Sequence, residues 1–181
     1  MTSKLKVNII NDSGDNNLIT SDGSGVITSS KFKIGQVVST TKTDTFSTTS
    51  TSSTDITGMS VSITPTSTSS KIYINASLSI STSNAVFYFC NLLRDSTEIC
   101  LGDAAGSRDR VTTHGYDVYG PYNMGTSVSF LDSPSTTSSV TYKFQMRVSS
   151  GTGYLNKDHD DADDSTRGRD ASTITVMEVL P

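Results

Sequence analysis

The chain has 181 residues, a formal net charge of −4 at pH 7 and a pI near 5.0, with 33% hydrophobic and 18% charged residues and no tryptophan. Its 14 lysines and arginines are scattered, with no basic stripe to neutralise consecutive phosphates, and no apolar run approaches the roughly 20 residues that cross a bilayer; neither nucleic acid nor membrane is expected as a partner. Serine and threonine supply 32 and 27 residues, 59 in all, and low hydrophobicity without high charge reads as a folded β protein that borrows buried surface from neighbouring copies, not as disorder.

Residues 1–33 read as short strands and tight turns. Leu5, Val7 and Ile9 alternate, Asn11-Asp12-Ser13-Gly14 turns, Leu18-Ile19-Thr20 extends, Ser21-Asp22-Gly23-Ser24-Gly25 turns again, and Val26-Ile27-Thr28 extends. Asp-Gly between apolar residues is a strong hairpin signal because such turns need positive φ. Strands this short bury too little to stand alone, so the segment is expected to be an attachment arm whose apolar residues Leu5, Val7, Ile9, Leu18 and Ile19 pack on a partner. The opening Met-Thr-Ser-Lys-Leu-Lys lacks the apolar core of a signal peptide, which places folding in a cytoplasm.

From residue 34 the predicted strands lengthen, at 34–41, 44–49, 54–64 with a break near Gly58, 71–82, 86–93, 97–101, 111–119, 126–132, 140–149 and 173–180. The period is two in the clearest of them. Ile72, Ile74, Ala76, Leu78 and Ile80 share one face of 71–82 while Tyr73, Asn75, Ser77 and Ser79 share the other, and Val140, Tyr142, Phe144, Met146 and Val148 repeat the pattern. No segment carries apolar residues at helical spacing over two turns. The fold class is therefore all-β, an antiparallel β-sandwich or jelly-roll knob over 34–181, with strands every ten residues or so punctuated by Ser, Thr, Pro and Gly.

One strand departs from alternation. Val86, Phe87, Tyr88, Phe89 and Leu92 make its two sides apolar, so it is either central between packed layers or turned outward onto another copy; the low overall hydrophobicity points to a subunit interface. Cys90 and Cys100 flank Arg94-Asp95-Ser96, and a hairpin centred on Asp95 would set them opposite each other. That leaves either a cross-strand disulfide or, as a reducing cytoplasm favours, two small buried apolar residues.

Few constellations carry chemistry. Asp158-His159-Asp160-Asp161-Ala162-Asp163-Asp164 is the one dense run of hard ligands, yet its register fails as an EF-hand, leaving a non-helical calcium loop or a solvated loop countered by Arg167 and Arg169. His114 and His159 lack partners at zinc spacing, no G-x-S-x-G is present, and Gly23-Ser24-Gly25 and Gly151-Thr152-Gly153 read as turns. No cofactor, metal or enzymatic activity is expected. Tyr116, Tyr119 and Tyr122 around Gly120-Pro121 read either as a platform for a sugar or as a partly buried tyrosine corner. The acceptor patterns Asn11-Asp12-Ser13 and Asn75-Ala76-Ser77 carry little weight without a secretory signal.

Taken together, Ile34–Ser47, Thr54–Pro65, Gly102–Arg108, Ser129–Pro134 and Gly168–Val179 resemble the Ser/Thr-rich domain of virion structural proteins of tailed bacteriophages, especially those of marine bacteria and cyanobacteria. The resemblance spans about 34–180. It implies a homotrimeric knob displayed as a fibre tip, head fibre or capsid decoration, bound to phage capsid or tail proteins, with residues 1–33 similar to the short β-repeats that precede such knobs. Long tail fibres carry extended shafts that this chain lacks, which shifts the expectation to a decoration or cement protein; a receptor-binding knob recognising a host-surface glycan is the alternative.

Overall fold

In the computed structural model the described residues are 9–21, 23–24, 27–28, 33–83, 85–116 and 123–181. They form strands and no helix: β1 (Ile9–Asn11), β2 (Asn17–Ser21), β3 (Ile27–Thr28), β4 (Ile34–Lys42), β5 (Phe46–Thr48), β6 (Thr54–Ile63), β7 (Lys71–Thr82), β8 (Phe87–Arg94), β9 (Thr97–Ile99), β10 (Thr113–Tyr116), β11 (Met124–Asp132), β12 (Val140–Val148), β13 (Gly153–Leu155) and β14 (Ser172–Val179). The three short N-terminal strands pair in the order β1-β2-β3, and Ile10 sits directly across from Ile19. Of the predicted arm residues, Ile9 and Ile19 are exposed and Leu18 is half-buried; Leu5 and Val7 lie outside the described residues.

The remaining strands stack as two antiparallel sheets. In one, β14 lies between β4 and β7, and β11 pairs with the other edge of β7. β7 is long enough to pair with β14 through Lys71–Ser77 and with β13 through Ile80–Thr82, and β13 carries β5 on its far side. The second sheet runs β10-β8-β12-β6, with β9 also on β8. Setting aside the three-residue strands, the first sheet holds the first, eighth, third and sixth of eight principal strands, and the second holds the second, seventh, fourth and fifth. That interleaving is the jelly roll, a double-sheet answer to exposed sheet edges.

Period-two patterning builds the core. Ile72, Ile74, Ala76, Leu78 and Ile80 of β7, with Ile174 and Val176 of β14, face Val140, Tyr142, Phe144, Met146 and Val148 of β12 across the sandwich, all of them buried. Burying each large aliphatic or aromatic side chain contributes about 1.5–3 kcal/mol, so this interior dominates the stability. Polar staples tie the two sheets together on both sides. Thr40 Oγ1 donates to Ser60 O at 2.9 Å between β4 and β6, and the hydroxyls of Tyr88 and Thr126 share a 3.1 Å bond between β8 and β11.

The predicted break near Gly58 is a bulge inside a continuous strand. Ile56 and Met59 are both buried, so two successive residues, Thr57 and Gly58, point outward, and the register with β12 slips between Lys143 and Gln145. Gly58 takes φ +83°, a conformation that costs other residues. Gly151-Thr152-Gly153 is only partly a turn, because Gly153 opens β13. The β8–β9 hairpin pairs Arg94 with Thr97 and Leu92 with Ile99, one step away from setting Cys90 opposite Cys100. Both cysteines are free, and burial pushes the Cys90 thiol up to about 12.

Candidate functional site

Strand β8 has one face in the core, and its other face is exposed only at the Phe87 end, since Asn91 and Leu93 are buried. Val86, Tyr88 and Leu92 are buried within this chain's own sandwich, while Phe87 is exposed and Phe89 half-buried on the other side of the strand. The reason is register. The even-numbered side chains point at the opposite sheet of the same chain, where Val86, Tyr88 and Leu92 join Leu78, Ile80 and Val128 in one buried cluster.

Phe87 and Phe89 do not stand alone. β10 pairs with β8 so that Tyr116 lies across from Phe87 and His114 across from Phe89. The Phe87 and Tyr116 rings are 4.3 Å apart between centroids, and the His114 ring stacks near-parallel to Phe89 at 6.3 Å. On the other side β12 contributes Arg147, directly across from Phe89, whose guanidinium sits 3.8 Å from the centre of the Phe89 ring. Arg147 Nη2 also donates to Asp109 Oδ2 at 2.6 Å. Gly115 makes this closeness feasible. A Cβ there would come within 2.5 Å of the ring of Tyr88, its ladder partner, so the absent side chain lets β10 pair closely with β8.

The loop 101–112 walls one side of this shelf and is fastened along its length. Arg110 Nε donates to Gly102 O at 2.7 Å, Thr112 Oγ1 accepts from Leu92 N–H at 2.9 Å, and the Thr112 N–H reaches Cys90 O at 3.2 Å. Between loop and sheet lies a cavity of about 340 Å³ bounded by Phe87, Phe89 and His114 from the strands and by Arg108, Asp109 and Val111 from the loop. Sequence reading separated these residues, assigning Phe87 and Phe89 to a subunit contact and Tyr116 to a ligand platform. Tyr119 and Tyr122 lie outside the described residues.

A second cavity, of about 330 Å³, opens in the acidic loop, where two arginines pair with three of the carboxylates. Arg167 reaches Asp160 at 3.0 Å and Asp158 at 3.7 Å, Arg169 reaches Asp161 at 2.6 Å, and Asp164 accepts from the Thr166 N–H and hydroxyl, both at 2.8 Å. Those two bonds hold the Asp164 carboxyl below its ordinary range. The arginines predicted to counter the loop do so. Among the described residues no three His, Cys, Asp or Glu side chains stand close enough together to hold a metal ion.

A third feature was missed. On the outer face of the β4-β14-β7-β11 sheet, ladder partners line up Leu131, Tyr73, Met177 and Val37 in one row across four strands, with Leu131 and Val37 46% and 56% exposed. The next row is polar: Ser129, Asn75, Thr175 and Ser39, linked by Asn75 Nδ2 donating to Ser129 at 3.1 Å and a 2.8 Å bond shared by the Ser39 and Thr175 hydroxyls.

The class defined by this strand order is the jelly-roll β-sandwich. No family model and no curated protein matches the sequence. Among solved structures, the chain is similar to that of infectious bursal disease virus, Gt strain, at 11% identity and a TM-score of 0.47, over 87% of this chain and 41% of the other. It is also similar to the VP2 subviral particle of infectious bursal disease virus, at 13% identity and a TM-score of 0.44, over 86% of this chain and 35% of that one. Particles of T=1 type derived from the same virus give 10% identity and a TM-score of 0.45, over 87% and 39%. The chain spans less than half the length of these viral chains.

Proposed function

We propose that the protein is a non-enzymatic virion structural protein, a homotrimeric jelly-roll knob of the capsid-decoration, cement or head-fibre type, carried on a phage particle by residues 1–33. The observation that carries the reading is the small sheet β1-β2-β3. It hydrogen-bonds as a separate unit, and it leaves Ile9, Ile10 and Ile19 49%, 45% and 36% exposed where an isolated three-strand sheet has little to gain. Apolar residues held out on a short arm suit docking against a larger protein surface. The sequence resemblance over 34–180 supports the same reading. Jelly rolls build viral capsid and lectin domains alike, so the fold itself does not choose between them.

For threefold assembly, the surface best suited to burial is the row Leu131, Tyr73, Met177 and Val37, where aspartate at positions 37 and 131 would place charge in the contact. Two measurements test the proposal. Labelling this chain in intact particles by electron microscopy should decorate the particle surface, and sedimentation at micromolar concentration should give a trimer that Val37→Asp with Leu131→Asp converts to a monomer. Particles without label, or a stably folded wild-type monomer, would remove the particle role and the trimer respectively.

A further inference from the structure

We propose that the cavity between β8, β10 and the 101–112 loop is a carbohydrate site that takes one or two pyranose units of an oligosaccharide. The inference goes beyond the structural role above and stands on the shelf alone.

Three observations carry it. Phe87 and Tyr116, 43% and 39% exposed, pack ring against ring at 4.3 Å and form an aromatic pair at the surface, beside the mouth of a cavity lined in part by Phe87 itself. An aromatic face is electron-rich, and the axial C–H groups of a pyranose form a slightly positive apolar patch that settles onto such a face. The cavity's rim then carries fixed hydrogen-bonding groups of both signs. Asp109 gives Oδ2 to Arg147 and keeps Oδ1 to accept from a sugar hydroxyl, while Arg108, bonded through Nη1 to Ala105 O at 3.4 Å, keeps donors for ring or substituent oxygens. Charged partners suit hydroxyl groups, which both donate and accept.

Size and rigidity decide between a sugar and a protein segment. The volume of about 340 Å³ lies at the lower end of the roughly 300–1,000 Å³ of small-molecule pockets, too little for a helix or strand with its side chains. The wall is fastened to β8 through Thr112 and closed on itself through Arg110, and Arg147 is pinned from two sides. Binding would therefore order little that is not already ordered, which favours a small ligand of modest contact area.

Saturation-transfer NMR on the full chain, with methyl glycosides of neutral hexoses, N-acetylhexosamines and hexuronic acids as probes, tests the site. At least one class should receive magnetisation through its axial C–H protons. Titration with the matching oligosaccharide should weaken about tenfold in Phe87→Ala and in Tyr116→Ala and stay near wild type in Phe87→Tyr. Both truncated residues stand at the surface, and an unchanged melting temperature would confirm folding; Arg108→Ala, on the exposed loop, gives an independent variant that should also weaken binding. Silence from all three sugar classes would overturn the proposal. So would unchanged affinity in the Phe87 and Tyr116 variants, or a Phe87→Ala effect confined to the sedimentation coefficient, which would assign the shelf to contact between copies.

Discussion

Glu178 is fully buried at an inward position of β14, and the bonds that hold it come from neutral groups. Gln36 Nε2 donates to one carboxylate oxygen at 2.9 Å, and the Thr66 N–H and hydroxyl donate to the other at 2.6 and 2.7 Å, tying the 64–70 connection to the sheet. Burial by itself would push the carboxyl up; the bonds from Gln36 and Thr66 outweigh it and hold Glu178 below its ordinary 4.5. A lowered folded value means that the ionised carboxylate stabilises the fold fully above about pH 4.5, and that this contribution drains away as pH falls through the lower folded value. Glu178→Gln places an amide N–H₂ against the Thr66 donors and should cost about 1–3 kcal/mol at pH 7. Chemical denaturation of both forms across pH 3–7 checks it: the gap should be widest at neutral pH and narrow in acid, and a pH-independent gap would sink the account. The sequence does mark this residue, because Glu178 shares the parity of Ile174 and Val176, and an acid on the dry side of a strand needs partners. What it cannot show is that Gln36 and Thr66 supply them.

At the scale of the strand, two-residue periodicity made most of the sandwich legible. The predicted spans at 71–82, 126–132, 140–149 and 173–180 fall within two residues of β7, β11, β12 and β14, because each has one wet and one dry face. β13 escaped notice for the opposite reason: three residues beginning with glycine carry no period, and only the long β7 gives them an edge to pair with. The bulge in β6 is a case where a local irregularity was visible and its form was not. Gly58→Ala should cost about 1–2 kcal/mol from its positive φ, since a Cβ there would meet Lys42 no closer than 3.5 Å and packing adds little. Deleting Gly58 is a different perturbation. It leaves Ile56 two positions from Met59, so strict alternation keeps both inward without a bulge, and thermal unfolding should show a loss for the deletion no larger than for the substitution; a far larger loss would mean that the bulge itself sets the register. Register also explains the divided reading of the aromatic shelf, since neither β8 nor β10 alone reveals that Tyr116 lies across from Phe87.

The whole molecule depends on pairings between distant parts of the chain, and these are what sequence reading left open. The apolar row on the outer sheet draws one residue from each of four strands, at positions 37, 73, 131 and 177, and no window of sequence contains two of them. The all-β class followed from composition and period; the jelly-roll order followed only from seeing which strands are neighbours. The first and last principal strands pair along nearly their full length, and the Leu180 N–H continues the ladder to Lys33 O at 2.7 Å.

Because β14 fills an inner place between β4 and β7, synthesis on the ribosome delivers one of the sandwich's middle staves last. Until it emerges, β4 has no ladder partner and β7 is unpaired along one flank, so the sandwich closes only once β14 has left the exit tunnel. Nascent chains arrested at residue 171 should stay sensitive to protease, and chains extended beyond the exit tunnel by a spacer after residue 181 should become resistant. Resistance already present in the shorter chains would show that the nascent polypeptide holds its shape without its final stave.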